Sequence, residues 1–153
     1  MKKTALFVLV LIFTLLIVSC KQDINNLKLN IPNWLQGRYS LLGTMNIKGA
    51  DPQSLTGNLT FSSNNITGSI TVSDVTSSIN VEKEIEEKKD YITGFSQLSS
   101  SNDFTYTITT EMDGVTHKYT IQINNNGLTK TYTETESIDG TRYGTIEATL
   151  SPM

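Results

Sequence analysis

Phe104-Thr105-Tyr106-Thr107-Ile108-Thr109-Thr110-Glu111-Met112-Asp113-Gly114-Val115-Thr116-His117-Lys118-Tyr119-Thr120-Ile121-Gln122-Ile123 is the stretch that decides the fold. Successive side chains of a strand point to opposite faces of its sheet. On both sides of Asp113-Gly114 the apolar and aromatic residues fall on one beat and the threonines largely on the other. Asp-Gly is a strong two-residue hairpin signal, and it sets Met112 opposite Val115 and Ile108 opposite Tyr119. Two antiparallel strands with one dry and one wet face follow directly.

The same device continues outward. Asn124-Asn125-Asn126-Gly127 reads as a four-residue loop, which sets Ile123 opposite Leu128 and Tyr119 opposite Tyr132. Ile138-Asp139-Gly140 reads as a three-residue loop, which sets Tyr132 opposite Ile146. The expected dry face then carries Phe104, Tyr106, Ile108, Val115, Tyr119, Ile121, Ile123, Leu128, Tyr132, Ile146, Ala148 and Leu150, and threonines largely fill the other face. Upstream, Tyr39, Leu41, Met45 and Ile47 alternate with polar residues, with Leu42 breaking the pattern. Leu55, Leu59 and Phe61 face Ile66, Ile70 and Val72 across a Ser-Asn turn. Residues 80–90 are ambiguous, since Val81 and Ile85 with Glu84 and Lys88 suit a short helix as well as a polar strand. The strand or loop reading is preferred, and the charge run from Glu82 to Asp90 is read as a solvated face.

Eight or nine consecutive antiparallel strands with one apolar face each need a cover, and no helix is long enough to provide it. The expected fold is therefore all-β, an up-and-down meander of about eight or nine strands closed as a barrel over residues 34–153, with a β-sandwich as the alternative.

The N-terminus has a different character. Lys2 and Lys3 precede fourteen residues, Ala5 to Val18, that are apolar except for Thr14, too short to span a bilayer and of signal-peptide length. The run ends in Ile17-Val18-Ser19-Cys20, which resembles the lipobox of bacterial lipoproteins. The resemblance implies removal of residues 1–19, lipidation of Cys20, and membrane attachment through that lipid. Two or more acyl chains would make the anchor durable. It also implies an envelope location. Lys21 stands where an Asp would resemble an inner-membrane retention signal, so the expectation leans to the outer membrane or cell surface. An ordinary secretory signal with a coincidental cysteine is the alternative. Residues 20–33 are expected to form the lipidated cysteine and a flexible tether.

Composition excludes several classes. The 12 basic side chains less Lys2 and Lys3 leave ten against 15 acidic ones, a net charge of −5 that offers no footing for nucleic acid. Cys20 is the sole cysteine and His117 the sole histidine, so the exported domain has no disulfide and lacks the usual zinc and thiol-nucleophile sites. No hydrolase elbow, phosphate loop or metalloprotease pattern occurs, so no enzymatic activity and no cofactor are expected.

Trp34-Leu35-Gln36-Gly37-Arg38-Tyr39 has an aromatic and then Gly-x-aromatic at the first strand, and is similar to the Gly-x-Trp motif of the lipocalin and fatty-acid-binding group. The resemblance implies a barrel-closing role for Trp34, Gly37 and Tyr39, and an interior that holds a small amphipathic or hydrophobic molecule. That group carries a basic residue near the end of its last strand, whereas Arg142 here lies at the start of the last strand. In the registers above, His117 lies opposite Thr110 and Glu134, with Lys130 on the same face. Tyr106, Tyr119 and Tyr132 present hydroxyls to the same interior. Tyr106, His117, Tyr119, Tyr132 and Glu134 are thus the candidate ligand-binding residues, and a His117–Glu134 pair near the barrel mouth is the plainer reading. A surface interaction protein with a solid interior is the rival function.

Overall fold

The computed structural model describes residues 27–153; Cys20, the expected signal segment and part of the expected tether lie outside the described residues. Nine strands form one antiparallel sheet: β1 (Gly37–Ile47), β2 (Gln53–Phe61), β3 (Ile66–Val72), β4 (Val75–Asn80), β5 (Ile92–Ser99), β6 (Asp103–Met112), β7 (Val115–Asn125), β8 (Lys130–Ile138) and β9 (Thr141–Pro152). Their spatial order is β4-β3-β2-β1-β9-β8-β7-β6-β5. Every neighbour but one is also a neighbour in sequence, and the exception, β1 beside β9, joins the two halves of the meander.

The all-β meander is as expected, but its closure is not. β4 and β5 are the two ends of the sheet and do not pair with each other, so the sheet is open and lies nearer the sandwich alternative than the closed barrel. The chain between those edge strands forms α1 (Val81–Lys88) and a 3-10 turn (Lys89–Tyr91). A strand reading of residues 80–90 is thereby corrected. Asn80 is extended and its side chain accepts from the Lys83 amide, which satisfies one of the donors a helix start leaves orphaned. The Asn65 side chain bonds the same cap and accepts from the Glu82 amide. Val81 and Ile85, four apart, bury the inner face of the helix.

The hairpin at Asp113-Gly114 has both residues at positive φ, and Met112↔Val115 and Ile108↔Tyr119 are the observed pairs. The next two registers differ from expectation. β7 runs on to Asn125 and β8 starts at Lys130, so Ile123 faces Tyr132 and Tyr119 faces Glu136. The slip of four residues preserves which side chains point inward. Leu128, freed from pairing, is exposed in the loop. At the last turn, Asp139-Gly140 is a two-residue hairpin with positive φ at both positions, and a bulge between Glu136 and Ser137 sets Tyr132 opposite Ala148.

The inward residues of all strands and α1 belong to one core, in which Leu35, Leu55, Phe104, Ile123 and Leu150 have about 1 % of their surface or less exposed. Leu29 and Ile31 join that core, and Leu27 packs against it. The Ile31 amide donates to the Ser63 carbonyl, and the Asn30 backbone exchanges two hydrogen bonds with the Gln97 side chain. Residues 27–33, expected as part of a free spacer, are therefore strapped across the end of the sheet where β1 begins.

Candidate functional site

Residues from β1 to β9 except β5's outer part, together with α1, line one cavity of about 140 Å³. Its walls are mostly aliphatic, with Met45, Ile70, Ile108, Ile121 and Ile146 among them, and one side carries ionisable groups. Those groups come from three elements. β6 supplies Tyr106, β7 supplies Tyr119, and β8 supplies Tyr132, Glu134 and Glu136 by strict alternation. Helix α1 supplies Glu84 and Lys88, whose spacing from Val81 and Ile85 sets all four on the same inner face.

The hydrogen bonds are specific. The Tyr132 hydroxyl donates to Glu134 Oε2 at 2.6 Å, and the Tyr119 hydroxyl donates to Glu136 Oε1 at 2.8 Å. His117 Nδ1 stands 3.4 Å from the same Glu136 oxygen, and its ring stacks on Tyr119 with centroids 6.4 Å apart. Glu136 is 6 % exposed, and its Oε2 is buried without a hydrogen-bond partner. Lys88 Nζ lies 5.9 Å from the Tyr119 ring centroid.

Low dielectric shapes the protonation of the site. Burial pushes Glu84 up to about 7, against the pull of Lys88 and of the Asn80 backbone. Burial also raises Glu134, with Tyr132 pulling the other way and Glu136 adding to the rise. Lys88 is held below its ordinary value by burial, opposed by Glu84, Glu136 and Glu87. All three cavity tyrosines are raised, first by burial and then by the carboxylates around them.

Of the residues singled out from the sequence, Tyr106, Tyr119, Tyr132 and Glu134 line the cavity together. His117 lies just behind it. The His117–Glu134 pair is not formed: the shifted β7–β8 register gives His117 to Glu136 and leaves Glu134 to Tyr132. Glu136 is not among the residues expected from the sequence, although it continues the beat Lys130, Tyr132, Glu134. Glu84 and Lys88, expected on a solvated charge run, face inward because residues 81–88 are a helix.

Trp34, Gly37 and Tyr39 lie at the other end of the sheet, since β1 starts at Gly37 and reaches the cavity at Met45 and Ile47. Tyr39 meets Phe61 edge-on at 5.6 Å, and Trp34 Nε1 donates to the Ser100 carbonyl. The cation on this aromatic pair is Lys130, with Nζ 5.2 Å from the Tyr39 ring centroid and 5.9 Å from that of Trp34. Tyr39 and Lys130 are both buried at this end. Among the described residues, no group of three His, Cys, Asp or Glu side chains is placed to hold a metal ion.

Compared with family models, with curated proteins and with solved structures, the chain matches none of them.

Proposed function

We propose that the chain is a lipid-anchored envelope lipoprotein whose interior binds or carries a small amphipathic molecule. The observation that carries this reading is the aliphatic cavity of about 140 Å³ with acids and tyrosine hydroxyls gathered on one side. An apolar body and a polar head would each find matching surroundings there. The volume limits the size: drug-sized ligands occupy roughly 300–1,000 Å³, whereas an apolar void of about 150 Å³ takes a benzene ring. A long acyl chain does not fit inside. The lipobox-like Ile17-Val18-Ser19-Cys20 supports the anchor, with residues 1–19 as the signal and the outer membrane or cell surface as the destination.

Two measurements test the proposal. Native mass spectrometry of the full chain in nonionic detergent is expected to show a co-purifying or added small molecule, lost in Ile108→Trp, which fills the cavity. If neither a co-purifying molecule nor added benzene is retained, the interior is solid and the chain is a surface interaction protein. Independently, Cys20→Ala is expected to abolish incorporation of an acyl label and membrane retention; unchanged labelling would refute the anchor.

A further inference from the structure

Glu136 poses a specific question of chemistry. A carboxylate only accepts hydrogen bonds, and burying an acceptor without a donor costs on the order of 1–3 kcal/mol, more when it is charged. Oε1 is satisfied by Tyr119, while Oε2 is buried and unpartnered on a residue that lines the cavity. The charged groups around it come from two elements. Strand β8 provides Glu134 and Glu136, and α1 provides Glu84 and Lys88. The remaining titratable neighbours are Tyr106 on β6, and His117 and Tyr119 on β7, with Tyr132 beside them on β8. Three carboxyl groups thus face the void against one ammonium. A ligand carboxylate placed there would meet like charge in a low-dielectric site, where repulsion is strong. A ligand ammonium would supply the missing donor and would also lie among the rings of Tyr106, Tyr119 and Tyr132, whose faces attract cations.

We propose that the cavity binds a small protonated amine, its ammonium donating to Glu136 Oε2 and its apolar body, about one six-membered ring in size, packed among Ile70, Ile108 and Ile146. This rests on the reading of the interior as a binding site. The pH dependence follows from the same groups. Burial favours the neutral forms of Glu84 and Glu134, so a bound cation draws protons from them, and affinity rises between about pH 5 and 8. The Lys88 ammonium opposes binding.

Isothermal titration calorimetry on the full chain in nonionic detergent tests this with benzylamine, benzyl alcohol and benzoate, which share a ring and differ in charge. Benzylamine is expected to bind at least about tenfold more tightly than benzyl alcohol, with benzoate weaker still. Glu136→Gln is expected to remove the preference for the amine while benzyl alcohol binding persists, and Glu136→Leu to do the same if the glutamine retains a useful acceptor. Benzoate or benzyl alcohol binding as tightly as benzylamine to the unmodified protein overturns the amine assignment and leaves the interior-binding reading intact. Failure of all three, together with failure to take up benzene, removes both.

Discussion

Glu84 sits on the inner face of α1 with its carboxyl pushed up to about 7 by burial. A carboxyl raised in this way holds its proton more tightly folded than unfolded, so the folded state is favoured at low pH and loses that advantage as pH rises between roughly 4.5 and 7. Glu134 is raised too and acts in the same direction. Lys88 is lowered, so its contribution has the opposite sign and falls in a more alkaline range. The midpoint of thermal unfolding is therefore expected to fall from pH 5 to pH 8, and Glu84→Gln, which mimics the protonated acid, to flatten that slope. A slope identical in the variant would show that Glu84 is not the source. At this scale the sequence was informative wherever alternation alone decides. Tyr106, Tyr119, Tyr132 and Glu134 point inward because every second residue does. Glu136 obeys the same rule. The expected turn at 124–127 lies two residues before the observed one at 126–129, a four-residue change of register that sets His117 opposite Glu134 and leaves Glu136 outside the expected pair. The error lay in partner assignment, which depends on distant loops, while facing depends only on period.

Helix α1 shows why some elements resist reading. Eight residues carry too few apolar positions to distinguish a 3.6-residue period from a two-residue one, and Ile79, Val81 and Ile85 satisfied both. The tie is broken by Asn80, whose side chain accepts from the Lys83 amide while Asn65 supports both the cap and the Glu82 amide. The Asn80 bond is local, but the two Asn65 bonds reach 15 and 17 residues along the chain, so the cap is stronger than the local sequence suggests. Asn80→Ala is expected to cost about 1 kcal/mol in chemical denaturation. A loss well below that would mean the helix is held by Val81 and Ile85 alone. Residues 27–31 teach the reverse lesson. Leu27, Leu29 and Ile31 already alternate with Lys28 and Asn30, and a two-residue period was present in a stretch taken for a spacer.

The molecule as a whole depends on how sharply its sheet curls. On β1, Tyr39, Leu41, Gly43, Met45 and Ile47 all share the inner face, so Leu42 points outward and the alternation is unbroken after all. At Gly43 a Cβ would stand 2.2 Å from the Glu147 carbonyl oxygen and 2.5 Å from the Ala148 Cα; at Gly68 it would stand 2.0 Å from the Asn58 carbonyl oxygen. These neighbours are backbone and cannot swing aside. Adjacent strands therefore approach through glycine, which lets the sheet bend until its halves enclose one cavity. Gly43→Ala is expected to cost about 1–3 kcal/mol by forcing β1 and β9 apart, read as a shift in the denaturation midpoint. A neutral outcome would mean that the central pair has slack. Whether such a curl ends in edge-to-edge pairing is set by accumulated twist over nine strands, and no residue announces it. That is why strand number and faces were legible and closure was not.

On the proposed anchoring at Cys20, the strap over residues 27–33 would also set which way the domain looks. It crosses the end where β1 begins, beside Ser63, Gln97 and the Trp34–Lys130–Tyr39 stack, whereas the cavity takes Met45 and Ile47 from the far end of β1. With Cys20 as the proposed anchor, only residues 21–26 separate the lipid from the docked strap, a leash of roughly 20 Å at full stretch. The strapped end would then be held down against the headgroups and the cavity end turned to the aqueous side, so a bound molecule would exchange with the surrounding fluid and not with the bilayer beneath.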